Sequence, residues 1–71
     1  MKTPELKKLL SQNIKNKRAS LGLSQEKLAF LAGIDRTYMS EVERELANPT
    51  IEVLLKISNA LDLAPQDLLK P

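Results

Sequence analysis

Residues 24–44, SQEKLAFLAGIDRTYMSEVER, decide the fold of this chain, because they read as two short helices joined by a glycine turn. Ser24 is placed to cap the first of them, its hydroxyl accepting a backbone N–H that would otherwise lack a partner. Leu28, Leu31 and Ala32 recur at helical spacing behind it. Gly33 stands where that helix must stop and the chain must enter the left-handed region, which costs glycine little. Ile34 supplies an apolar plug, Asp35 a cap for the second helix, and Met39, Val42 and Leu46 an apolar stripe. The opposite face carries Arg36, Thr37, Ser40, Glu41 and Arg44. A short helix with a polar, hydrogen-bonding outer face, braced by a partner helix, has the shape that enters the major groove of DNA.

Outward from this stretch, three more helices are legible. Thr3-Pro4 reads as a cap and first-turn proline opening a helix that runs to about Leu21, with Leu6, Leu10, Ile14 and Leu21 as its stripe and Leu9 flanking. Asn48-Pro49-Thr50 reads as a turn and cap before a fourth helix, whose apolar line is Ile51, Leu54, Leu55, Ser58 and Leu61. Leu63-Ala64-Pro65 breaks that helix and starts a short fifth one, residues 66 to 70. The sequence therefore predicts an all-α, compact five-helix domain over residues 1–71, with a helix-turn-helix formed by helices 2 and 3 over about 24–44. No strand pattern, repeat or linker interrupts it.

At 71 residues the chain is one domain near the lower size limit for a self-sufficient core. With 42% apolar but only 3% aromatic residues, that core is aliphatic. Cysteine and histidine are both absent, which excludes disulfides and a conventional zinc site; no metal or other cofactor is expected. The opening MKTPELKKLL holds no apolar run suited to a signal peptide or membrane span, so a cytoplasmic protein with no membrane partner is expected. Net charge is only +2, yet residues 2–20 hold six cations against one anion, and residues 21–71 five cations against eight anions. One end of the molecule is thus suited to face phosphate, although a solvated lysine-rich helix gives the same pattern.

Arg18 breaks the apolar line of the first helix, four residues after Ile14. A charge turned toward a core requires a partner, and Glu43 is the natural candidate for a structural ion pair without catalytic meaning. No catalytic residues are found: His and Cys are missing, there is no glycine-rich phosphate loop, and Glu41, Glu43 and Glu45 are spaced so that they do not face one another on a helix. An enzyme is not expected.

Lys17-Arg18, Leu21-Gly22-Leu23-Ser24-Gln25, Leu28-Ala29, Gly33, Met39, Val42, Glu43-Arg44, Asn48-Pro49-Thr50 and Leu61-Asp62-Leu63 together resemble the Cro/lambda-repressor (XRE) family of helix-turn-helix regulators over about residues 10–70. Within it, Asp35-Arg36-Thr37-Tyr38, Ser40 and Glu43-Arg44 are most similar to the controller proteins of restriction-modification systems, which are small homodimers without an effector domain. Where the family usually has glycine shortly after Glu43, this chain has Glu45 or Ala47.

The resemblance implies a lambda-repressor-like DNA-binding domain acting as a sequence-specific transcription regulator on a double-stranded operator, with no small-molecule effector. It places Gln25 on a phosphate, and Arg44, Asn48 and Thr50 in a phosphate clamp. Arg36 is the strongest base-reading candidate, since guanidinium grips guanine O6 and N7 together, worth about 1–3 kcal/mol of discrimination; the alternative is a phosphate contact that carries no sequence information. Thr37 and Ser40 could reach a base edge, a thymine methyl or a phosphate. Glu41 could accept from cytosine N4, repel phosphate in wrong registers, or simply meet solvent. Tyr38 could place its hydroxyl on a phosphate or pack partly as core. Leu61, Leu63, Leu68 and Leu69 exceed what a small monomer must cover; some are core, yet the resemblance implies a homodimer through this end, about residues 61–71. Two copies would read half-sites about 34 Å apart. The alternative is an antitoxin or other protein-binding module that sequesters a partner protein.

Overall fold

A computed structural model describes the backbone of residues 3–71 and side chains from residue 4 onward. Lys2, and the Thr3 side chain expected to cap the first helix, lie outside the described residues. Four α-helices follow one another: α1 (Thr3–Ser20), α2 (Gln25–Ala32), α3 (Arg36–Glu43) and α4 (Ile51–Ala60). A single 3-10 turn, Pro65–Leu69, closes the chain where a fifth α-helix was expected. Five residues leave room for little more than one turn, and here that turn is tightened, with Asp67 N–H donating to Ala64 O at 2.9 Å. The Asp67 carboxylate accepts in return from Ala64 N–H at 3.1 Å. Lys70 beside it, followed by that backbone bond, holds the Asp67 carboxyl below the usual carboxylate range.

α2 packs on α3 and α4, while α1 packs on α3 and on the 3-10 turn. The core between them is Leu10, Ile14, Leu28, Ala29, Ala32, Met39, Val42, Ile57, Leu61 and Leu68. Four of the expected apolar lines are displaced from this. In α1 the buried residues are Leu10, Ser11 and Ile14, with Leu6 and Leu21 left exposed; the helix stops at Ser20, before Leu21. In α2, Ala29 rather than Leu31 faces inward. Leu46 lies past the end of α3 and is 63% exposed. In α4, Ile57, absent from the expected line, is fully buried, whereas Ile51 is 78% exposed and Leu55 is also exposed. The physical reason is shared: each α-helix packs closely on only two neighbouring elements, so the buried stripe is narrower than the run of apolar residues available.

Ser11 and Ser58 are buried hydroxyls that donate to the carbonyls of Lys8 and Leu55, each at 3.0 Å in its own helix. Asn13 ties distant parts of the chain, its Nδ2 donating at 2.8 Å both to Leu68 O and to Lys70 O.

All four helices end in the same way. A residue at positive φ follows each one (Gly22, Gly33, Glu45 and Asp62). The next N–H then reaches back five residues: Leu23 to Arg18 O, Ile34 to Ala29 O, Leu46 to Glu41 O and Leu63 to Ser58 O, all between 2.8 and 3.0 Å. This is the Schellman closure, which satisfies carbonyls the helix leaves unpaired.

Candidate nucleic-acid interface

α3 is held from both ends and from behind. Asp35 caps it, its Oδ2 accepting from Thr37 N–H at 2.9 Å. Ser24 does the same for α2, accepting from Lys27 N–H at 3.0 Å. Met39 and Val42 are buried against α1 and α2, which turns the opposite side of the eight-residue helix outward. Arg36 and Thr37 are exposed there, Ser40 and Glu41 are half-buried, and exposed Arg44 follows at the helix end. Arg36, Ser40 and Arg44 are spaced four apart and so form one row.

The rear anchor is a buried ion pair. Arg18 Nε donates to Glu43 Oε2 and Arg18 Nη2 to Glu43 Oε1, both at 2.9 Å. Arg18 Nη1 donates to Leu23 O at 3.0 Å. Gln25 Nε2 adds a further bond to Glu43 Oε1 at 3.3 Å. The Glu43 side chain is 3% exposed, so its charge is held entirely by these donors. The cluster joins the end of α1, the start of α2 and the end of α3, and it fixes how far the outward row of α3 stands from the rest.

Around this row, Gln25 is the half-buried first residue of α2, and Asn48 and Thr50 are exposed in the segment before α4. The Thr50 hydroxyl accepts from Val53 N–H at 3.2 Å and so caps α4. Tyr38 is half-buried and packs on the core. Arg36 has a partner that the sequence reading missed: its Nη1 donates to Glu26 Oε2 at 3.2 Å. The signal was available, since Glu26 and Arg36 are the second residue of one helix and the first of the next, brought together by the turn between them.

The dimer surface expected at residues 61–71 requires correction. Leu61 and Leu68 are fully buried in the core of a single copy and cannot meet a second one. Leu63 is half-buried against that core, and Leu69 is 39% exposed. Helical spacing puts Leu61 on the apolar line of α4, whereas it cannot separate Leu68 from Leu69, because the 3-10 turn changes the spacing at which side chains face inward. Among the described residues no cluster of His, Cys, Asp and Glu could hold a metal ion, and no helix is long and apolar enough to cross a membrane.

Two capped helices crossing at a left-handed glycine, with a polar row on the second, define a helix-turn-helix unit. The helix-turn-helix family matches residues 14–68. The chain is 41% identical over 68 residues to control protein C.BamHI of Bacillus amyloliquefaciens, covering 94% of this chain and 84% of that protein. It superposes on the restriction-modification controller protein C.AhdI of Aeromonas hydrophila with a TM-score of 0.84 and 42% identity, over 87% of this chain and 94% of the other. The hypothetical transcription factor NHTF of Neisseria superposes with a TM-score of 0.93 and 38% identity, over 99% of this chain and 79% of the other. The chain belongs to the helix-turn-helix family of DNA-binding transcription regulators.

Proposed function

We propose that this protein is a homodimeric regulator that reads an operator through α3, in the manner of a restriction-modification controller. The observation that carries this reading is the outward row of α3, capped at Asp35 and locked from behind through Glu43. In the proposal Arg36 grips a guanine, with Thr37, Ser40 and Glu41 facing the neighbouring base edges. Gln25, Tyr38, Arg44, Asn48 and Thr50 meet phosphates and set the register. The identity to C.BamHI and C.AhdI supports the controller role.

Size argues for two copies. Eight residues of α3 extend about 12 Å, enough for only a few base pairs. The whole chain measures 30 × 21 × 20 Å, so one copy offers one such helix to one stretch of groove. Pairing two copies doubles the sequence read and spaces the half-sites by about one helical turn. With Leu61 and Leu68 committed to the core, the proposed contact consists of Leu69 and Leu63 with the exposed Ile51 and Leu55 of α4.

The test uses duplexes enriched by the protein from a randomised pool. Arg36→Ala is expected to fold normally and to lose preference for the enriched duplex over scrambled DNA. An equal loss on both duplexes would leave Arg36 only a phosphate contact. Leu69→Glu is expected to shift sedimentation from dimer to monomer and to weaken operator binding while the thermal melt persists. Full affinity in that variant would remove this face from the dimer.

A further inference from the structure

The pairing of Arg36 with Glu26 does little for folding. Their side chains are 66% and 72% exposed, and an ion pair in that setting contributes little to stability. Its consequence is where it leaves the guanidinium. Arginine carries five donors along rigid, planar edges. Glu26 takes Nη1, and neither Nε nor Nη2 of Arg36 makes a hydrogen bond within the described residues. The free Nε–Nη2 edge is a two-donor fork of the kind that fits guanine O6 and N7.

We propose that Glu26 is a specificity-determining positioning residue: it holds Arg36 by one nitrogen so that the opposite fork is presented to a guanine. This rests on the operator-reading function proposed above. Without the carboxylate, the long arginine side chain is free to swing and to settle on whichever phosphate is nearest, which rewards every sequence alike. Glu26 also places a negative charge beside the DNA backbone, which weakens docking on any sequence. It is the positioning of Arg36 that widens the gap between the correct site and random DNA.

The experiment measures, at one fixed salt concentration, the affinity ratio between the duplex enriched by the wild-type protein and a scrambled duplex of equal length. Glu26→Gln, at an exposed position, is expected to melt like wild type, to bind the scrambled duplex several-fold more tightly, and to lower the ratio about tenfold. In an Arg36→Ala background the same change is expected to leave the ratio where Arg36→Ala alone puts it. Glu52→Gln, which removes an equal charge from α4, is expected to move both duplexes together. An unchanged ratio in Glu26→Gln, or an equal fall with and without Arg36, overturns the proposal. A wild-type protein that enriches no sequence overturns the operator reading itself, and the role of Glu26 with it.

Discussion

Two corners of this molecule bend the chain alike with different residues. The turn between α2 and α3 passes through Gly33 at φ +70°, and the corner after α3 passes through Glu45 at φ +65°. Each is closed by an N–H reaching back five residues, Ile34 to Ala29 O and Leu46 to Glu41 O. Glycine enters this region freely, whereas a residue with a Cβ is opposed by about 1–2 kcal/mol. A Cβ built on Gly33 meets nothing within 4 Å, so the contrast lies in the backbone and not in packing. What keeps Glu45 in place stands two residues earlier: buried Glu43, gripped by Arg18 and Gln25, fixes the path by which the chain enters the corner. A strained residue persists where its surroundings over-determine it.

That account can be broken most severely at the anchor. Arg18→Met would leave the Glu43 carboxylate buried with Gln25 as its one remaining partner, and a loss of about 3 kcal/mol in denaturant unfolding is expected. A loss below 1 kcal/mol would show that the corner holds without its lock. Next in size, Gly33→Ala is expected to lower stability by about 1 kcal/mol through backbone strain alone. An unchanged melting curve would mean that the turn tolerates a Cβ and that the two corners do not differ. The smallest effect runs the other way. Glu45→Gly relieves the left-handed strain but frees the unfolded backbone, so a gain of about 0.5–1 kcal/mol is expected. A destabilised Glu45→Gly protein would reverse the comparison, making the glutamate side chain a support.

The same contrast explains what the sequence disclosed. Gly33 announced its corner, and with Ser24 and Asp35 as caps it placed both helices of the motif within a residue or so of where they lie. The need of Arg18 for an acidic partner was legible for the same reason: a lone charge on an apolar line demands one. Glu45 carried no such mark, because its conformation is imposed by neighbours and not by its own preference. Helical spacing puts Leu31, Leu46, Ile51 and Leu55 on apolar stripes, yet the structure leaves them exposed, since apolar residues outnumber the positions that a small core can enclose. Near the end of the chain the structure departs from the expected dimer face at Leu61 and Leu68, because a count of leucines does not say which of them a single copy already encloses. Glu26 escaped notice because its meaning depends on the turn that brings it to Arg36.

The double grip of Asn13 on the carbonyls of Leu68 and Lys70 has a topological consequence. It brings Pro71 back to α1, where it lines one open hollow with Glu5, Lys8, Leu9 and Gln12, so the beginning and the finish of the described chain are near one another in space. A short glycine-serine bridge could join them into a circle, and reopening that circle in the exposed segment around Asn48 would yield a permuted protein with every helix intact.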